Sequence, residues 1–344
     1  MRKRPEFSSV AIPGSRLPTP RRALQRLAIA AIAVLASCNA GPDDRQAAES
    51  GGDATGVDAT TDATTDATTN PTATDTDDST TGATTTLDGT TGAGPLADLQ
   101  QDVDAAVPEG AHGGVIALVV RDGELGQAVA GTANVDGDPL AADAKFNIAS
   151  VTKTYTATLI YQLEDQGLLD TAAPLSTYLP ETDYGPAVTL DTLLSHRSGI
   201  PDYADNPQYL VDILGDLERV FTTQELIEYS MFEPPAPAGE AYAYSNTGFS
   251  LLGLVIEAVT GEPLADALHT GIIAPLGLSS TSFIDPPNFP DDLPSAWLNP
   301  ADLGLPADAE LPVMPVPAPF SGCQADCGII TTAPELRMFF EGLF

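Results

Sequence analysis

Residues 146–157 read FNIASVTKTYTA. The stretch sets Ser150 and Lys153 three apart in a run with no other charge, and between residues 96 and 344 the only other lysine is Lys145. Positions three apart on a helix face the same side, so Lys153 is expected beside the Ser150 hydroxyl. A serine hydroxyl is a poor nucleophile at neutral pH and needs a neighbouring base. If the pair opens a helix, the positive end of the helix dipole also favours negative charge developing at the serine. A lysine serves as a base only if burial or a nearby cation lowers its pKa. Ile148, Ala149 and Val151 surround the pair, and no acid lies between 144 and 163. The expectation is therefore a buried Lys153 with a lowered pKa. Taken alone, the same spacing also fits a helix-capping serine followed by an exposed lysine.

A second stretch, GEAYAYSNTGFSLLG at 239–253, carries Tyr244 and Asn246 two apart. On a short loop both point into one cleft, where the phenol can pass protons to a leaving group and the amide can hold a substrate carbonyl. The plainer alternative is a turn in which Asn246 caps the next helix.

Working outward, a short amphipathic helix is predicted over 96–106. VIALVVRDG at 115–123 alternates into a turn at Asp122-Gly123, with a second strand over 125–133 completing a hairpin. After FNIASVTK, Leu159, Leu163 and Leu168 share one side of a helix that stops at Gly167. Phe249, Leu252, Ile256 and Val259 mark one face of another. Between 185 and 285 the signals are mostly helical with proline-rich breaks. A hairpin, a helix and a large helical region point to an α+β chain rather than alternating βαβ units.

Together the motifs resemble the penicillin-recognising serine hydrolases of the class C β-lactamase and D-alanyl-D-alanine carboxypeptidase type, which include esterases. FNIASVTKTYTA looks like the nucleophile block, and LLSHRSGIPDY at 193–203 resembles a block of the form LLTHTSGLPDY. YAYSNTGFSLLG resembles the Tyr-x-Asn block, IIAPLGLSSTSF at 272–283 an IxxPLGMxxT block, and CGIITTAPELRMFF at 327–340 GGLxSTAxDLxRF. The blocks keep the family's order across 97–344. The resemblance implies a β-lactamase/transpeptidase-like fold, an antiparallel sheet flanked by helices. It implies Ser150 as the acylated nucleophile, Lys153 and Tyr244 sharing the base and acid roles, and Asn246 orienting the substrate amide. The Ser150 backbone N–H would be one oxyanion donor. His196 belongs to a block read as structural, and is expected to be packed and hydrogen-bonded. Acylation of this kind needs no cofactor, and no metal-ligand cluster is evident. The substrate is expected to be a small molecule or peptide: a D-Ala-D-Ala peptide of peptidoglycan origin, a β-lactam, or an ester or amide. The alternative is a non-catalytic, surface-tethered binding protein on a degraded hydrolase scaffold.

The family's third motif, His- or Lys-x-Gly on a cleft strand, has no counterpart in the expected order. His269-Thr270-Gly271 matches the letters but precedes the PLGL block, and the apolar face Leu264, Leu268, Ile272 leaves His269 on the solvent side of a helix. The expectation is a domain over 96–344 truncated before the third motif, its last strands and final helix missing and Met338, Phe339, Phe340, Leu343 and Phe344 exposed. Such a chain is expected to be inactive or poorly folded, since open sheet edges promote aggregation.

The formal charge is −34, and residues 96–344 hold 36 acidic against six basic residues. That balance repels nucleic acid and anionic surfaces. Arg21, Arg22 and Arg26 precede the apolar run LAIAAIAVLA at 27–36, too short to span a bilayer but suited to a secretory signal. The run ends in Leu35-Ala36-Ser37-Cys38, which resembles the lipobox of bacterial lipoproteins. The expected organisation is a signal peptide over 1–37, with lipidated Cys38 anchoring an exported protein at the bacterial cell envelope. A disordered Thr/Asp/Ala/Gly-rich tether over 38–95, with DATTDATTDATTN at its centre, then leads to the domain. The other two cysteines, Cys323 and Cys327, either pair across a small loop or stay free.

Overall fold

The computed structural model describes residues 98–107, 113–284, 286, 288–295 and 315–343. The signal, Cys38 and the tether lie outside the described residues. Helix α1 (Leu99–Ala106) lies against a hairpin of β1 (Gly114–Arg121) and β2 (Glu124–Gly131). The hairpin turns at Asp122 and Gly123, both at positive φ (54° and 82°), as a two-residue loop between twisted strands requires. Gln100 ties α1 to the hairpin by donating to the Val129 carbonyl at 3.0 Å.

The second half of the architecture surrounds a small antiparallel sheet. Its strands are β3 (Phe146–Asn147), β4 (Ser282–Phe283) and β5 (Ile329–Thr331), in the order β3-β5-β4. Helices α2 (Thr152–Asp165), α3 (Leu190–Leu194), α4 (Pro207–Gly215) and α5 (Thr223–Ser230) follow β3. Next come α6 (Asn246–Thr260) and α7 (Leu264–Leu268), then a π-helical turn at His269–Ile273 before β4. Helix α8 (Pro317–Ser321) precedes β5, and α9 (Ala333–Leu343) follows it.

The main core lies between α2 and α6. Tyr155, Leu159, Ile160 and Leu163 from one, and Leu251, Leu252, Val255 and Ile256 from the other, belong to a single buried cluster. Each such side chain contributes about 1.5–3 kcal/mol by leaving water. Two close approaches position the site. A Cβ on Gly253 of α6 would stand 2.7 Å from the Ala325 Cβ, so this helix runs directly against the loop before β5. At Gly199 (φ +72°) a Cβ would stand 2.1 Å from the Ala236 carbonyl oxygen, so only glycine lets these two loops meet.

The α+β reading holds, and so does the hairpin, but the described strands form two small sheets rather than one. Leu168 does not join Leu159 and Leu163: α2 ends at Asp165, the chain reverses at Gly167, and Leu168 is 53% exposed. The expected exposure of Phe339 and Phe340 is corrected too, while Phe344 lies outside the described residues. Phe339 is buried and stacks on Tyr155 at 3.6 Å between centroids, and Phe340 is half-buried; Met338 and Leu343 remain exposed. His269 is exposed on its helical turn, as expected. Cys323 and Cys327 are both buried and free in this structure. Among the described residues no helix is long and apolar enough to cross a membrane.

Candidate active site

The chain enters the site through a sharp turn. Asn147 ends β3, and its Oδ1 accepts the Ala149 N–H at 2.9 Å. Ala149 takes φ +46°, an uncommon conformation for a residue with a Cβ. Ser150 follows in a 3₁₀ turn, Ala149–Val151, which runs straight into α2. One face of α2 is stitched to the loop before β5. Thr152 Oγ1 accepts the Ile329 N–H at 3.0 Å, Lys153 donates to the Asp326 carbonyl at 2.9 Å, and Thr156 donates to the Ala325 carbonyl at 2.6 Å. Asn147 Nδ2 adds a bond to the Cys327 carbonyl at 2.7 Å.

The four residues singled out in the sequence meet. Lys153 Nζ donates to Ser150 Oγ at 3.2 Å and to Asn246 Oδ1 at 2.7 Å. The Tyr244 hydroxyl donates to Ser150 Oγ at 2.8 Å, and Nζ lies 5.0 Å from the Tyr244 ring centroid. Lys153 is only 7% exposed, whereas Tyr244 is 40% exposed, so the serine faces an opening while the lysine forms the floor. Asn246 does not cap α6. Ser245 does, its hydroxyl accepting the Gly248 N–H at 3.3 Å. With the cap supplied one residue earlier, the Asn246 side chain is released into the cleft.

His196 is packed and hydrogen-bonded, as read. It stacks on Tyr244 at 4.3 Å between centroids, and its Nδ1 accepts the Ser245 N–H at 3.2 Å. Burial, aided by the nearby Lys153 charge, lowers its pKa to about 4.

Lys153 departs from expectation. Burial acts on it most strongly and favours the neutral amine, as foreseen. The charge of Asp326, followed by Tyr244, works the other way, and together these hold the Lys153 pKa above its ordinary value. The local sequence shows no acid near Lys153, but the fold brings Asp326 to it and places Asp202 behind its partner Asn246. Asp326 is 1% exposed, and Asp202, 8% exposed, accepts the Asn246 Nδ2–H at 2.9 Å. Burial pushes Asp202 up to about 7 against the pull of its N–H donors from Ala204 and Asn246.

Sequence reasoning missed Thr152, Thr156, Asp202, Tyr203 and Asp326. The threonines four apart on one helix face were a usable signal, and Asp202 lay inside a block read as structural. Nothing local marks Asp326. Among the described residues no group of three or more His, Cys, Asp or Glu is placed to hold a metal ion.

Residues 98–343 match the family described as Beta-lactamase. Penicillin-binding protein 4* of Bacillus subtilis (strain 168) is 34% identical over 148 residues, 42% of this chain and 31% of that protein. Esterase EstB of Burkholderia gladioli is 33% identical over 203 residues, 55% of this chain and 51% of the esterase. The chain thus spans between about a third and a half of these curated relatives. Among solved structures, D-amino acid amidase from Ochrobactrum anthropi SV3 complexed with D-phenylalanine superposes with a TM-score of 0.61 at 28% identity, over 72% of this chain and 70% of the amidase.

Proposed function

The chain belongs to the beta-lactamase family, and from that membership we propose that it is a serine hydrolase working through an acyl-enzyme on Ser150. The observation that carries this is the convergence on one oxygen. Ser150 Oγ lies 2.8 Å from the Tyr244 hydroxyl and 3.2 Å from Lys153 Nζ.

In this mechanism Ser150 Oγ attacks a substrate carbonyl carbon while its proton passes to the Tyr244 oxygen and the Tyr244 hydroxyl proton passes on to the leaving nitrogen or oxygen. The Lys153 ammonium stabilises negative charge developing on the Tyr244 oxygen during that relay. The C–N or C–O bond breaks as the leaving group takes up the proton, leaving an ester on Ser150. Water, deprotonated by the same tyrosine, cleaves the ester and regenerates the serine. Asn246 holds the substrate carbonyl side, and the Ser150 N–H serves the oxyanion.

The proposed substrates are acyl compounds with an amide, β-lactam or ester bond. The names of the relatives support that breadth: a penicillin-binding protein, an esterase and a D-amino acid amidase. A peptidoglycan-derived peptide falls within this class. The placement of Cys38 after an apolar run supports a lipid-anchored, exported protein. Loss of fatty-acid labelling in Cys38→Ala would be the matching test.

Intact-mass analysis after exposure to a fluorophosphonate and to a penicillin tests the hydrolase reading. One adduct on the Ser150 peptide, absent in Ser150→Ala, is expected. A folded chain that takes neither label overturns it, and leaves a binding protein on the same scaffold as the better account.

A further inference from the structure

Lys153 is nearly sealed from water, and its hydrogen-bond acceptors are all neutral: Ser150 Oγ, Asn246 Oδ1 and the Asp326 backbone carbonyl. A buried ammonium among neutral oxygens is costly unless a counter-charge lies within reach. The titratable groups around it come from three segments. Tyr244 and His196 lie towards the opening. Asp202 and Tyr203 lie behind Asn246. Asp326 and Cys327 sit on the loop between α8 and β5.

Of the carboxyls, Asp326 is the more deeply buried, and three donors hold it. Tyr203 Oη–H reaches its Oδ2 at 2.9 Å, Cys327 Sγ–H reaches the same oxygen at 3.3 Å, and the Gln324 N–H reaches Oδ1 at 3.2 Å. The tyrosine hydroxyl is itself fully buried, and its single proton is shared between that carboxylate oxygen and the Gly322 carbonyl, also at 2.9 Å. Arg121, Lys145, Arg219 and Arg337 pair with other acids. Charges sealed from water act on one another well beyond contact distance.

We propose that Asp326 is a positioning residue that keeps Lys153 an ammonium: its carbonyl fixes Nζ beneath Ser150, and its carboxylate, clamped by Tyr203, supplies the counter-charge. Lys153 then acts as the electrostatic partner of Tyr244 rather than as a base towards Ser150. The direction of the Lys153 shift, with Asp326 foremost among the groups raising it, agrees. This deepens the acyl-enzyme reading of Ser150 and rests on it, but its test needs no turnover.

The chain has three lysines, Lys3, Lys145 and Lys153. Lysine labelled with carbon-13 at Cε therefore gives a spectrum simple enough to titrate by NMR, with Lys153 assigned by its loss in Lys153→Met. In the native chain Lys153 is expected to stay protonated beyond about pH 10, the ordinary lysine range. In Asp326→Asn its midpoint should fall by about one unit or more, a tenfold easier loss of the proton. Lys145 should not move, and Asp326→Glu should restore the high midpoint. A native midpoint below about 9, or an Asp326→Asn midpoint within about 0.3 unit of native, overturns the proposal. If Asp326→Asn does not fold, the native titration and Asp326→Glu decide. A chain that titrates as described but takes no label at Ser150 would fail as a hydrolase while retaining the Asp326–Lys153 relationship.

Discussion

Asn246 presents its carbonyl oxygen, not its amide nitrogen, to Lys153, at 2.7 Å. An ammonium can only donate and a carboxylate oxygen accepts, so Lys153 on one side and Asp202 on the other fix which way the amide points. The orientation of the Asn246 amide is thereby set before any substrate arrives.

Asp202 makes stability depend on pH in a stated direction. Its carboxyl is raised from 3.8 to about 7 in the folded chain. The folded state therefore holds a proton that the unfolded chain has released, so this group's contribution is full below pH 3.8 and is lost as pH rises to about 7. The loss is bounded by about 4 kcal/mol, at 1.36 kcal/mol per unit. Urea unfolding at pH 5 and pH 8 should show a smaller drop for Asp202→Asn than for the native chain. Equal drops would remove Asp202 from the account.

His196 behaves in the opposite sense. Its pKa is lowered from 6.5 to about 4, so the unfolded chain binds the extra proton between those values. Stability is present above pH 6.5 and is lost as pH falls to about 4, by about 1–3 kcal/mol after allowing for its partial exposure. Asn tolerates the positive φ at this position (54°). His196→Asn should flatten the acid limb of a stability profile measured from pH 7 to 4. It should also loosen Tyr244, whose ring loses its stacking partner, and so slow the labelling of Ser150.

Removing the helix cap separates fold from site. Ser245→Ala deletes the acceptor for the Gly248 N–H, and should cost about 1 kcal/mol of stability. The first turn of α6 carries Asn246, so Ser150 labelling should fall more than that stability loss alone explains. Thermal unfolding and labelling rates on the same samples would show it.

Two changes at one ring stack should differ in sign. The Tyr155 hydroxyl is buried and has no hydrogen-bond partner among the described residues. Tyr155→Phe removes it and is expected to be neutral or to stabilise by about 1 kcal/mol. Phe339→Ala empties a fully buried ring site against Tyr155 and should cost about 3–5 kcal/mol. Denaturant midpoints of the two variants would settle both.

How much could be read in advance follows from the range over which each feature is encoded. Ser150 and Lys153 are one helical turn apart, and Tyr244 and Asn246 share one loop, so spacing alone reveals each pair. The hairpin is equally local, because Asp122 and Gly123 carry the turn chemistry themselves. The misread Leu168 shows the limit. Periodicity continued past the point where the backbone had already turned, and burial stops with the helix rather than with the pattern.

The sequence by itself determined the α+β class, the four residues of the cleft and their pairwise spacing, because those depend on neighbours within a few positions. Only the tertiary structure decided the charge state favoured at Lys153. Asp326 lies 173 residues away along the chain, yet its carbonyl reaches Nζ at 2.9 Å. The close crossing of Gly253 and Ala325 and the threonines of α2 bring that loop in. Electrostatic interaction depends on distance through a water-poor interior and not on separation in sequence, so a lysine in an uncharged run came to rest beside a buried acid.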